Sequence, residues 1–155
     1  NLGTYFNSID KVLKKDGLAV IQAITIPDQK YDTYRKSCDW IQKYIFPGAV
    51  CPSLDAMQTA MKSSSSLMIE NVENIGISYA RTLKEWNIRF QEAWKDIEAL
   101  GFDERFKKIW TYYLNYCEAG YRARILGNLH VVMSRTNNPS LGNPSEAAFS
   151  REQSK

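Results

Sequence analysis

The chain of 155 residues carries one histidine, His130, and three cysteines, Cys38, Cys51 and Cys117. A single imidazole excludes every site that needs two, including the H-E-x-x-H zinc hydrolases. A Ser-His-Asp triad would have to use His130, and no G-x-S-x-G elbow accompanies it. The odd cysteine count, with no C-x-x-C spacing, speaks against a disulfide framework or a zinc site. It suits a reducing compartment such as the cytosol. Glycine is sparse and scattered: of the eight, no two lie within five residues of each other. A nucleotide cradle needs clustered glycines so that backbone N–H groups can approach the ligand. The chain alone is therefore expected to bind no cofactor. No apolar run approaches about 18 residues, so no membrane-spanning helix is expected. The opening NLGTYFNSID lacks the charged and apolar regions of a signal peptide. Twenty Lys and Arg against seventeen Asp and Glu leave +3. That imbalance is too mild and too evenly spread to mark a nucleic-acid binder.

What is present is an ordinary globular composition, 44% hydrophobic and 24% charged, at a length suited to one domain with a real core. Tyr5, Phe6, Ile9, Val12 and Leu13 share a helical face, which predicts a helix from Tyr5 to Lys15 stopped near Gly17. Leu18 to Ile26 is almost continuously apolar and β-branched. It reads as a strand buried on both faces, as in a parallel sheet, and with the preceding helix as half of an α/β crossover unit. Residues 27–37 are polar and read as a loop. Cys38 to Phe46 suggests a short helix broken at Pro47-Gly48. Ser53 is a natural N-cap for a helix through Met61, and Ser63 to Ser66 reads as a turn. Leu67 to Gly76 reads as a second strand. Two long helices follow, separated at Gly101, with Asp103 near the second N-cap. Their stripe of Trp86, Phe90, Trp94, Phe106, Trp110 and Tyr113 reads as core. Leu129 to Ser134 is a third strand, with His130 on it as a structural residue. From Thr136 onward the apolar pattern is lost, which predicts a mobile tail over 136–155.

Several runs together resemble the cyclopropane-fatty-acyl-phospholipid synthases. Tyr44-Ile-Phe-Pro-Gly48 with Pro52-Ser53 matches their "YIFPGG…PS" signature. Glu70-Asn-Val-Glu-Asn-Ile-Gly76 is followed by Tyr79, Thr82-Leu83 and Trp86. Phe106, Trp110, Tyr112-Tyr113-Leu114, Cys117 and Arg122 resemble "RFxxxWxYYLxxCxxxFR". His130-Val-Val-Met-Ser-Arg135 resembles the closing "QVVFSR" strand. The likeness runs in order from about Tyr5 to Arg135.

The resemblance implies an α/β fold, helix-rich, corresponding to the C-terminal half of a class I methyltransferase (Rossmann-like) sheet. About three strands and five or so helices are expected over residues 1–135. It implies an S-adenosylmethionine-dependent enzyme that transfers a methyl group to the cis double bond of a membrane phospholipid acyl chain. Proton loss then closes the cyclopropane ring, with a bound bicarbonate as base in the family. The cofactor loop, an "EHVG" glutamate and a site cysteine of the family lie upstream and are absent here. The chain alone is accordingly expected to be inactive and to lack its N-terminal half.

Three bicarbonate-site residues follow from the resemblance: Tyr79, whose hydroxyl would order the anion, Gln22 and Ile24. The family often has His where Gln22 stands. Gln22 can hydrogen-bond an anion but cannot titrate. Each also has a plain packing explanation. Tyr44, Phe46, Pro47 and Gly48 read either as acyl-pocket lining or as a core-packed turn. Glu70 and Glu73 read as a paired acid site or, the preferred reading, as structural, with Glu70 in an ion pair. Lys14, Lys15, Lys107, Lys108, Arg122 and Arg124 read as a solvated face or as contacts to anionic headgroups. The expected location is cytoplasmic, peripheral to the membrane. Two rival functions remain at this point, a small-amine N-methyltransferase relative and a non-catalytic interaction module. An unpaired edge at Leu18 to Ile26 predicts self-association.

Overall fold

The computed structural model describes residues 1–138 and Leu141; the predicted tail falls almost wholly outside the described residues. Among them are seven helices and three strands, against the five or so helices expected. Helix α1 (Leu2–Val12) starts on Asn1, whose side chain accepts a hydrogen bond from the Gly3 N–H at 2.9 Å. Phe6 is fully buried and Ile9 and Leu13 pack beside it, while Val12, predicted inward, faces solvent.

The strands are β1 (Ala19–Thr25), β2 (Leu67–Asn74) and β3 (Gly127–Arg135). They form one sheet in the order β1-β3-β2, and both pairings are antiparallel. This corrects the parallel pairing inferred from the apolar run. The run is apolar because β1 alternates between two different surroundings. Ala19, Ile21 and Ala23 pack into the core, whereas Val20, Gln22 and Ile24 face outward and are exposed. Only one face of the sheet is covered along β1. Gly127 meets β1 closely: a Cβ there would lie 2.5 Å from Thr25 Oγ1.

The covered face packs against α1 and α4 (Leu54–Ser64). Phe6, Met57, Met61, Leu129, Val131 and Met133 form a tight cluster, each at most 7% exposed. Ser53 caps α4 as predicted, its Oγ accepting from the Ala56 N–H at 3.1 Å; α4 itself runs on through Ser63 and Ser64, where a turn was expected. At the far end of the sheet Arg135 clasps α1. Its Nε donates to Asp10 at 2.8 Å, and its guanidinium also donates to the Asp10, Leu13 and Lys14 carbonyls. Carbonyls at and just past a helix C-terminus lack intrahelical donors, and the guanidinium supplies them.

Residues 27–37 are not simply a loop. They contain α2 (Asp28–Tyr34), which the sequence hides because it buries no residue fully. Asp28 accepts from the Asp55 N–H at 2.9 Å, tying α2 to α4. Helix α3 (Trp40–Tyr44) opens on a capping box between Asp39 and Gln42. The chain then turns at Phe46-Pro47-Gly48-Ala49, closed by Ala49 N–H to Phe46 carbonyl at 3.0 Å. Gly48 has φ +79°, and proline followed by a glycine of positive φ is the signature of a type II turn.

Helices α5 (Gly76–Glu92), α6 (Trp94–Ala99) and α7 (Glu104–Arg122) form the second half of the chain. Asp103 caps α7 as predicted, accepting from the Phe106 N–H at 2.8 Å. Helices α5 and α7 pack together over a second cluster of Ala80, Leu83, Leu114 and Tyr121. The aromatic stripe is only partly core: Trp94 is buried, whereas Trp86 is 44% exposed. Among the described residues, no helix is long and apolar enough to cross a membrane.

Candidate functional site

Between α7, the end of β1 and the α3 region lies a cavity of about 460 Å³. The spacing of Tyr113, Cys117 and Tyr121 at four-residue intervals puts all three on the face of α7 that lines it. Tyr79 enters from α5, Ile24 from β1 and Phe46 from the type II turn. Three of the residues singled out in the sequence thus meet at one cavity. Gln22, Tyr44, Pro47 and Gly48 are exposed and are not among its lining residues.

The aromatic rings are arranged edge to face, with Tyr79 to Tyr121 at 5.3 Å, Tyr79 to Trp86 at 5.9 Å and Phe46 to Tyr113 at 5.7 Å. Such pairs favour this geometry because positive ring edges meet negative faces. The walls are therefore apolar surface carrying a few hydroxyls and thiols. Burial disfavours ionisation and pushes Tyr113 and Cys117 up to about 12, and raises Tyr79, Tyr121 and Cys51. At neutral pH the phenols are donors and the thiols are inert rather than nucleophilic. Tyr34, also pushed up to about 12 by burial, accepts from the Cys51 N–H at 3.4 Å. The Tyr121 hydroxyl and both polar atoms of the Asn128 amide are buried without a hydrogen-bond partner.

The cavity suits a long apolar ligand with a polar point of attachment. The Tyr79 phenol, neutral at ordinary pH, is a donor in its wall, whereas Gln22, two residues from Ile24 on the same strand face, lies outside the lining. Among the described residues no cluster of three His, Cys, Asp or Glu could hold a metal. Among the described residues Glu70 does not form the expected ion pair. It sits at the irregularity in the β2–β3 register and accepts a short hydrogen bond from Ser134 Oγ. Sequence reasoning missed Tyr116, Cys117 and Tyr121 as cavity wall. Their spacing is that of any buried helix stripe, and the only available signal was the surplus of hydroxyls on it.

An antiparallel strand inserted between two others, helices on one face and a helical insertion over the cavity define half of a class I methyltransferase fold. Two solved structures share it: the cyclopropane synthase MmaA2 from Mycobacterium tuberculosis, at TM-score 0.74 and 19% identity, and a mycolic acid cyclopropane synthase CmaA1 complexed with SAH and CTAB, at TM-score 0.74 and 22% identity. Each match covers 86% of this chain and 50% of the other. The chain belongs to the mycolic acid cyclopropane synthetase family, which it matches over residues 1–131. It is 40% identical over 135 residues to the cyclopropane-fatty-acyl-phospholipid synthase of Escherichia coli, covering 87% of this chain and 34% of that protein. It is 38% identical over 122 residues to the tuberculostearic acid methyltransferase UfaA1 of Mycobacterium tuberculosis, covering 79% of this chain and 29% of that protein. The chain spans about a third of the length of these curated relatives.

Proposed function

We propose that this chain forms the acyl-pocket portion of an S-adenosylmethionine-dependent methyltransferase acting on the cis double bond of phospholipid acyl chains, giving cyclopropane fatty acids. The observation that carries this reading is the apolar, aromatic-walled cavity with the neutral Tyr79 phenol in its wall. An acyl chain offers no hydrogen bonds, so such a lining holds it by burial alone. On this reading the protein meets its lipid at the membrane surface, and among the described residues no helix is long and apolar enough to cross the bilayer.

S-Adenosylmethionine supplies the methyl group when bound. Among the described residues the two glycines of positive φ, Gly48 and Gly101, stand in separate turns. Bicarbonate, when bound, supplies the base. Tyr79, Gln22 and the backbone at Ile24 are the residues toward that anion. Tyr79 donates its hydroxyl proton, and the cavity around it excludes water that would quench a cation on the substrate. The aromatic faces of Tyr79, Tyr113 and Tyr121 favour positive charge nearby.

The test is methyl transfer by the full-length protein, with methyl-labelled cofactor and vesicles of cis-unsaturated phospholipid, read by chromatography of the fatty acids. Label in a cyclopropane ring is expected; label in a small amine, or in nothing, would overturn the reading. Tyr79→Phe sharpens the result. It keeps the ring packing and is expected to change stability by less than about 1 kcal/mol. Turnover should fall about a hundredfold, as for loss of one well-placed donor, with cofactor affinity unchanged.

A further inference from the structure

A second pocket, of about 310 Å³, adjoins the aromatic cavity: Ile26, Tyr121 and Leu126 line both. To these it adds Thr25 at the end of β1, Asp28 opening α2, Asn74 closing β2 and Arg124 just past α7. Gly127 also lines it, and its missing side chain matters. A Cβ there would lie 2.5 Å from Thr25 Oγ1 and 3.7 Å from Asn74 Nδ2. The bare backbone leaves both polar atoms open. Asn74 Oδ1 accepts from the Gly76 N–H at 2.9 Å, which fixes the amide and frees its Nδ2 to donate.

Arg124 stands where a glycine would be expected. Helix α7 ends in a Schellman motif: the Ile125 N–H donates to the Gly120 carbonyl and the Arg124 N–H to the Tyr121 carbonyl, each at 3.0 Å. The motif needs positive φ at the residue after the cap, and glycine supplies it without strain. Here Arg124 adopts φ +55°, a conformation unfavourable for an L side chain. The ending is thus poorer than glycine would make it, and what the arginine adds is a guanidinium at the pocket. That side chain is exposed and, among the described residues, makes no ion pair, although Asp28 faces the same pocket. Asp28 accepts from the Asp55 N–H at 2.9 Å and likewise has no cationic partner. Two opposite charges border one pocket without meeting.

We propose that this pocket binds a small zwitterion, its oxyanion held by Arg124 and Asn74 and its ammonium by Asp28. The planar guanidinium matches a phosphate or carboxylate. An anion alone would be repelled by Asp28 and a cation alone by Arg124, so the pair selects a ligand that carries both. Such a group has two sources. One is the head of a zwitterionic phospholipid whose acyl chain enters the adjoining cavity. The other is a free aminoalkyl phosphate. The pocket stands on its own residues; only the link to a lipid rests on the function proposed above.

The experiment uses the full-length protein and two soluble probes, glycerophosphoethanolamine and glycerophosphoglycerol, which share the phosphodiester and differ in the ammonium. Binding is read from broadening of the probe's phosphorus resonance. Saturable binding is expected, tighter for the ethanolamine probe. Arg124→Gly relieves the strained helix ending, so Tm should hold or rise, yet affinity for both probes should fall about tenfold or more, the scale of a lost charged hydrogen bond. Asp28→Asn keeps an oxygen to accept from the Asp55 N–H. It should weaken the ethanolamine probe about tenfold and spare the glycerol one. No saturable binding, wild-type affinity in Arg124→Gly, or equal weakening of both probes by Asp28→Asn would each overturn the proposal. In the methyl-transfer assay a lipid head as occupant predicts that Asp28→Asn shifts turnover from phosphatidylethanolamine vesicles toward phosphatidylglycerol vesicles. A free occupant predicts no such shift and a change in turnover when the ethanolamine probe is added. If the wild type binds the probe but makes no cyclopropane, the pocket stands and the proposed function falls.

Discussion

The two hydrophobic clusters of this molecule are built to opposite ends. The cluster under the sheet joins Phe6 to methionine, valine and leucine side chains that leave no polar atom to satisfy. The cluster between α5 and α7 is bordered by phenols and thiols, and beside it are a cavity and the unpartnered Tyr121 hydroxyl. Both are products of amphipathic segments at ordinary spacing. The difference shows that the first is packed for density, and the second gives up density to keep a chamber open. Stability should therefore depend on the first, and activity on the second.

The strongest way to break that division is Phe6→Ala. It removes a fully buried ring from the dense cluster and should cost about 3–5 kcal/mol, read by denaturant unfolding. A loss as small as that from cavity residues would erase the contrast. Next comes the clasp at the sheet's end. Arg135→Ala removes the donor to the Asp10, Leu13 and Lys14 carbonyls and leaves the Asp10 carboxylate with the Ser66 N–H alone, an expected cost on the order of 2 kcal/mol.

The same clasp has a pH signature. The Ser66 N–H, donating at 2.7 Å, and then Arg135 hold the Asp10 carboxyl below its ordinary value of 3.8. A group with a lowered folded value binds its proton more readily when unfolded. Its contribution is therefore complete above the ordinary carboxylate value and is lost as pH falls through the folded one. Asp10→Asn should flatten that acid limb of the stability curve. A smaller effect with the opposite sign is expected at the cavity. Tyr121→Phe deletes a buried hydroxyl that has no partner and should be neutral or stabilising by up to about 1 kcal/mol. Loss of stability there would mean that the hydroxyl is satisfied, and that the second cluster is not the permissive one.

The last prediction concerns the open side of the sheet. Val20 on the edge strand β1 is 61% exposed, and Leu18 just before it is 48% exposed. We propose that the isolated chain associates through it. Sedimentation at increasing concentration should show dimers or larger species, and a monomer throughout would refute this.

Local signals were legible wherever the responsible atoms are close in sequence. Ser53 and Asp103 cap helices within three residues of themselves, and Pro47-Gly48 dictates its own turn. What depends on distant partners was not. The run from Leu18 to Ile26 says strand, but nothing in it says that Gln22 faces outward, because that depends on what covers each face. Helix α2 has no apolar stripe and is held by contacts to α4 and to the Cys51 backbone. In the site, Tyr79, Phe46 and Ile24 were reachable only through the resemblance.

The order β1-β3-β2 also governs how the molecule can come into being. The central strand is the last of the three along the chain, and the outer two pair with it and not with each other. A growing polypeptide can form α1, α4 and the α5–α7 hairpin before β3, but it holds the apolar β1 and the partly polar β2 unpaired until residues 127–135 emerge. Contacts this distant in sequence close slowly, and exposed strands are the parts of a nascent chain most prone to misassociation. Interruption of synthesis before β3 would thus yield helices with no sheet to rest on, and a chaperone's natural targets would be the segments around Val20 and Leu67.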